Sequence, residues 1–167
     1  CLLRRQRQMC IRDRYFIEKS ISENLNIQVI DNHEDNLKKY QSSDRFSTYK
    51  IDIFNEIKRE EFIKNSDIVI SMLPVKYHIL IAKSCLKLKK NLVTASYISD
   101  DMKKLDKEAK KNKLIFLNEI GLDPGIDHMS AKKIIDNLKS KGNVISSFKS
   151  YTGGLISNES DSNAWNY

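Results

Sequence analysis

The twelve residues NEIGLDPGIDHM, Asn118 to Met129, hold three acids, two glycines, a proline and a histidine. They follow an apolar run, KLIFL, and precede a helical-looking run, SAKKIIDNLKSKG. Acids accept hydrogen bonds and move protons, and glycines let a chain turn tightly or approach another group closely. A surface turn needs less than this. Two local readings coexist. Asp123 followed by Pro124 is a helix-start signature, with Asp123 as N-cap and Pro124 in the first turn. Asp127 would then complement the helix dipole, and His128 would pack on the sheet. The other reading places the same residues against a ligand.

Position decides between them, and position depends on the elements around the motif. IQVID, STYKID, DIVISML, NLVTAS and KLIFLNE read as short strands. YFIEKSISENL, EDNLKKYQS, NEIKREEFIKN, KYHILIAKSCLKLKK and DDMKKLDKEAKKNK read as helices between them. Strict alternation with apolar, β-branched strands predicts an α/β fold, a Rossmann-like doubly wound parallel sheet with both faces covered. Ligands of such sheets bind at the carboxyl ends of the strands. Those ends are Asp31 with Asn32, Asp52, Ser71 to Pro74, Thr94 to Tyr97, and Asn118 to Gly125.

Each end has its own chemistry. An acid closing the second strand can accept hydrogen bonds from an adenine ribose, and it would repel a 2′-phosphate, so Asp31 leans toward NAD over NADP. Asp31 also suits a plain turn. The Ser71–Pro74 backbone, with Leu73 and Pro74, can lie along a cofactor. Cys85 falls among apolar residues of a helix and reads as core; His78 reads as a surface or capping residue. A phosphate loop is missing from the pattern, because residues 1–14 contain no glycine. The sheet is therefore expected to lack its first strand and Gly-rich loop.

The chain has 167 residues and a formal charge of +7. Residues 1–14 hold five arginines against one acid, leaving +3 for the rest from 24 basic and 21 acidic side chains. CLLRRQRQMCIRDR lacks helical or strand periodicity and resembles translated adapter sequence. It reads as a non-native segment, with native sequence resuming near Tyr15. The remaining lysines alternate with acids on helix faces, and aromatics do not interleave with them, which argues against nucleic acid. No run approaches the roughly 20 apolar residues of a membrane span. Three scattered cysteines give neither a disulfide framework nor a metal site. The expectation is a cytoplasmic protein acting on a small molecule, without metal, membrane or nucleic acid. Residues 15–142 form the partial dinucleotide-binding domain. Residues 143–167 begin a second, antiparallel domain, with NVISSFKSYTGGL as a strand.

TASYIS, NEIGLDPGIDH and SYTGGL, in this order, resemble the saccharopine dehydrogenase family, specifically its glutamate-forming reductases, over residues 15–167. The resemblance implies an NAD(P)-binding Rossmann domain joined to an α+β substrate and dimerisation domain, and hence a homodimer. It implies interconversion of saccharopine with glutamate and 2-aminoadipate 6-semialdehyde in lysine metabolism. It matches Ser96 and Tyr97 to substrate-contacting positions. Asp123, Pro124 and Gly125 match the segment between nicotinamide and substrate, and Leu73 with Pro74 a cofactor-lining strand end. Asp31 and Asp52 complete the cofactor set. Tyr97 and Asp123 are the candidates for orienting or acid/base roles. Thr152 stands where family reductases often carry cysteine, which leaves a hydroxyl contact and no thiol role. The alternatives are a carboxynorspermidine- or homospermidine-type imine reductase and a non-catalytic dinucleotide-fold protein. Without a phosphate loop and a full substrate domain, the chain as given is expected not to turn over.

Overall fold

The computed structural model describes residues 2–4, 19, 22–38 and 43–151. Six strands form one parallel sheet: β1 (Leu2–Arg4), β2 (Ile27–Asp31), β3 (Phe46–Lys50), β4 (Ile68–Met72), β5 (Asn91–Thr94) and β6 (Phe116–Leu117). Their order is β3-β2-β1-β4-β5-β6, the doubly wound dinucleotide-binding arrangement. The helices are α1 (Glu34–Leu37), α2 (Glu56–Lys64), α3 (Val75–Leu88), α4 (Asp100–Lys104), α5 (Asp106–Lys111) and α6 (Ile126–Ser140).

The expectation of a missing first strand is corrected. Leu2–Arg4 fills the central slot, pairing Leu3 with Ile30 on one side and Ser71 on the other. Three residues carry too few side chains for a period to be read, yet three suffice to join two ladders. Most of the helix predicted at 15–25, and the remainder of 1–14, lie outside the described residues.

The chain divides into two compact units, Cys1–Met129 and Ser130–Tyr167. In the first, side chains alternate across β2, so the sheet has a core on each face. Ile30 joins Ile63, Val69, Ile81, Cys85 and Leu92 on one face, while Val29 joins Ile27, Leu37 and Phe46 on the other. Helix α3 supplies its stripe at helical spacing, with His78, Ile81, Ala82 and Cys85 all buried. Burial pushes the Cys85 thiol up to about 12, so it stays protonated and packs as an apolar group.

Some boundaries differ from the predicted ones. The polar helix at 100–113 is broken at Leu105, whose side chain packs against the core between α4 and α5. Only Phe116–Leu117 of KLIFLNE ladder as a strand. In the second unit, the described part of α6 buries no side chain, and residues 143–151 have no regular structure. Val144 is 95% exposed there. A strand needs a neighbour to take its hydrogen bonds, and none pairs with this segment among the described residues.

Burial separates apolar residues that look alike in sequence. Leu92→Ala, at a 1% exposed position, should cost about 2–5 kcal/mol, whereas Ile57→Ala, 83% exposed on α2, should stay within about 0.5 kcal/mol. Urea midpoints of the two variants check this, and equal losses would contradict the core assignment.

Candidate active site

The carboxyl ends of β4, β5 and β6 converge, and hydrogen bonds beyond the assigned strands hold them together. Ile120 N donates to Thr94 O at 3.1 Å and Glu119 N to Ser96 O at 3.1 Å. Thr94 Oγ1 donates to Asn118 Oδ1 at 3.1 Å, and Ile98 N to a Glu119 carboxylate oxygen at 3.1 Å. The segments TASYI and NEI thus run side by side. Ser96 and Tyr97 project from one and Asp123 follows the other.

Tyr97 and Asp123 meet. The Tyr97 hydroxyl donates to Asp123 Oδ1 at 2.9 Å, at an exposed position. That hydrogen bond to a carboxylate holds the phenol above its usual range, with burial and the charges of Asp123, Asp127 and Glu119 acting the same way. Tyr97 is therefore a protonated hydroxyl at neutral pH and Asp123 its acceptor.

The N-cap assignment of Asp123 is corrected. Leu122, Asp123 and Pro124 form a turn between Gly121 and Gly125, the Asp123–Pro124 peptide is cis, and α6 begins at Ile126. Gly121 N donates to Pro124 O at 2.8 Å, and Ile126 N to Gly121 O at 2.9 Å. Asp127, in the first turn as expected, accepts from Gly125 N at 2.9 Å and pairs with His128 Nδ1 at 2.8 Å. Burial of Asp127 opposes its ionisation, but the His128 and Gly125 hydrogen bonds outweigh it and hold the carboxyl below its usual range. His128 is exposed rather than packed on the sheet. Both glycines are sterically required. A Cβ on Gly125, whose φ is +145°, would lie 2.2 Å from Gly121 O, and one on Gly121 would lie 2.9 Å from Ala95 O.

The proposed cofactor residues are distributed differently. Asp31 is fully buried and its carboxylate accepts from His33 N at 2.8 Å and Asn36 Nδ2 at 3.0 Å. It organises the turn into α1 and is not offered at the rim. Asp52 is exposed and accepts from Phe54 N at 3.0 Å, again a turn. Leu73 points into the core at 4% exposure, so only its backbone reaches the rim. Pro74 caps α3 in an extended conformation, as a strand-to-helix turn beside a ligand allows. Pro124 and Gly125 are buried. Thr152 lies outside the described residues. The hollow lined by Glu34, Leu37, Lys38, Thr48 and Lys50 contains none of the candidate residues. Among the described residues no cluster of His, Cys, Asp or Glu could hold a metal, and no helix is long and apolar enough to cross a membrane.

Sequence reasoning missed His78. The ring is 3% exposed, with Nδ1 2.8 Å from Ser71 Oγ and Nε2 2.9 Å from Ser96 Oγ. The available signal was direction. A side chain one turn into a helix leans back toward that helix's N-terminus, which here is the end of β4. Burial pulls the ring down to about 4 from 6.5, so it is neutral in the folded chain near pH 7.

That shift has a sign. Between pH 6.5 and about 4 the unfolded chain binds a proton on this ring that the folded chain does not. The stabilisation is therefore complete above 6.5 and lost as pH falls toward 4, amounting to about 3 kcal/mol at most. His78→Gln should flatten this part of the stability–pH curve, measured by urea unfolding at stepwise pH; an unchanged slope would refute it.

Comparison with known proteins follows the same outline. Residues 15–117 match the family model described as saccharopine dehydrogenase NADP binding domain, and residues 121–167 the saccharopine dehydrogenase C-terminal domain. An alpha-aminoadipic semialdehyde synthase of Arabidopsis thaliana is 43% identical over 108 residues, covering 65% of this chain and 10% of that protein. A saccharopine dehydrogenase [NADP(+), L-glutamate-forming] of Pyricularia oryzae is 40% identical over 117 residues, 70% of this chain and 26% of its own length. The apo structure of saccharopine dehydrogenase (L-Glu forming) from Saccharomyces cerevisiae superposes with a TM-score of 0.71 at 30% identity, over 84% of this chain and 32% of that one. The chain thus spans about a tenth to a quarter of the curated relatives it matches.

Proposed function

Because the chain belongs to the saccharopine dehydrogenase family, we propose that the protein carrying it interconverts saccharopine with glutamate and 2-aminoadipate 6-semialdehyde in lysine metabolism. The observation that carries this reading is the Tyr97–Asp123 hydrogen bond at the carboxyl rim of the parallel sheet. Oxidation of a secondary amine and hydrolysis of the resulting imine require a proton to leave nitrogen and water to be deprotonated as it adds. A carboxylate at hydrogen-bond distance serves as the acceptor. Asp123 takes that role, and the Tyr97 hydroxyl orients the carboxylate and gives its proton to the departing amine while receiving the one Asp123 has taken, across their hydrogen bond. Ser96 supplies a hydroxyl to the substrate, and Thr152 a second.

NADP would supply the hydride acceptor for the substrate carbon. The residues that would hold it are at strand ends: the Leu73–Pro74 backbone between β4 and α3, and the Gly121–Gly125 turn that packs closely on itself. The preference for NAD drawn from Asp31 loses its basis, since that carboxylate is turned inward and already hydrogen-bonded. NADP over NAD is therefore part of the proposal, supported by the relatives named for NADP(+). A cytoplasmic homodimer is carried with it.

The test is saccharopine-dependent reduction of NADP+ by the intact protein at alkaline pH. Asp123→Asn should lower kcat by about 100-fold or more and Tyr97→Phe by about tenfold, with cofactor binding retained. Activity on a polyamine imine without activity on saccharopine would transfer the assignment to that substrate class, and wild-type rates in both variants would remove the two roles.

A further inference from the structure

The family match and the Tyr97–Asp123 pair leave the most buried polar contact of the rim without a function. Ser71 Oγ, His78 and Ser96 Oγ form a continuous chain, 2.8 Å and 2.9 Å long at its two links, from the end of β4 through the first turn of α3 to the loop after β5. Ser71 has no exposed surface and His78 almost none, whereas Ser96 is half-buried. The chain therefore begins in the core and ends at the rim.

We propose that His78 is a positioning residue, whose neutral ring carries its hydrogen on Nε2 and so holds Ser96 with its hydroxyl hydrogen directed at a carboxylate oxygen of the substrate. The direction follows from the buried end. A hydroxyl sealed from water must give its hydrogen to an acceptor, while a spare lone pair is more easily tolerated. The Ser71 hydroxyl finds that acceptor in Nδ1. The ring hydrogen is then on Nε2 and is donated to Ser96 Oγ, which acts as acceptor and keeps its own hydrogen free. Ser96 cannot drift, because its carbonyl is bound by Glu119 N. Its neighbour Tyr97 reaches Asp123 from the same loop. One buried imidazole thus sets both the donor sense of Ser96 and the placement of the loop that carries Tyr97. Burial also keeps the ring uncharged through the working range, so the relay does not switch with pH.

The inference rests on the proposed activity for the identity of the substrate but not for the relay, and the experiment separates the two. Nitrogen-15 NMR of the imidazole in this chain should show a single neutral Nε2–H tautomer that does not titrate between pH 5.5 and 9. Ser96→Ala should move the Nε2 resonance. An Nδ1–H tautomer, a titration inside that range, or an Nε2 signal indifferent to Ser96→Ala overturns the proposal. In the intact protein, His78→Asn retains a group near Nδ1 but falls short of Ser96, while His78→Gln reaches it. His78→Asn and Ser96→Ala should each raise KM for saccharopine by about tenfold with KM for NADP+ unchanged, and His78→Gln should recover most of the loss. The double variant should be within about twofold of the worse single variant, since the two act through one contact. Multiplicative losses, or a His78→Gln as poor as His78→Asn, would show that His78 does not act through Ser96. If the unmodified protein does not oxidise saccharopine, the activity assignment fails and the tautomer measurement alone decides the relay.

Discussion

Strand β6 is only two residues long, but its pairing with β5 does not stop where the strand does. Backbone bonds from Ile120 to Thr94 and from Glu119 to Ser96 extend the contact outward, and side-chain bonds from Thr94 to Asn118 and from Ile98 to Glu119 fill the gaps. Two loops that would otherwise be independent leave the sheet as a paired unit. Without that pairing the Tyr97 hydroxyl and the Asp123 carboxylate, 26 residues apart, would have no reason to meet. A loop held by four hydrogen bonds also loses little further entropy when a ligand arrives, which is how a rim becomes preorganised.

The underside of the rim is held by buried polar groups, and these constrain more strongly than apolar contacts do. Apolar side chains tolerate small shifts, whereas a sealed hydroxyl or imidazole that loses its partner carries the whole desolvation cost. Ser71, His78, Thr94 and Asp31 are all buried, and each has a partner. Asp31 and Thr94 close β2 and β5, and Ser71 is the last residue but one of β4. Side-chain hydrogen bonds are thus added to the ladder at the carboxyl rim, where the strands turn into loops.

Much of the fold was legible in the sequence. The alternation of β-branched strands with helices such as KYHILIAKSCLKLKK leads directly to the parallel sheet, because both signals repeat over many residues. What was not legible has physical causes. Leu2–Arg4 is too short for any period. The helix at 100–113 hides a break, because Leu105, half-buried against the core, satisfies the helical pattern where one helix ends and the next begins. Asp31 carries the same letter whether it faces a ribose or the turn behind it, and only coordinates give its direction. His78 lacked a sequence cue beyond its distance from the strand end. NVISSFKSY has strand-like alternation but, among the described residues, no neighbour to pair with, and alternation alone does not hold a strand.

The three acids of NEIGLDPGIDHM show why a motif can be more specific than its residue types. Each has different partners and the spacing keeps them apart. Glu119 secures the Ile98 amide and thereby the loop bearing Tyr97. Asp127 accepts from the Gly125 amide at the start of α6. That leaves Asp123 between them, on a turn closed by two glycines, with no capping duty and with its carboxylate directed at a phenol. Had Asp123 been the cap, its charge would have been absorbed by backbone amides, and a carboxylate so stabilised is a poor proton acceptor. The helix-start signature Asp123–Pro124 is not used as a cap, because the helix begins at Ile126, and the Asp123 carboxylate is left to the Tyr97 hydroxyl.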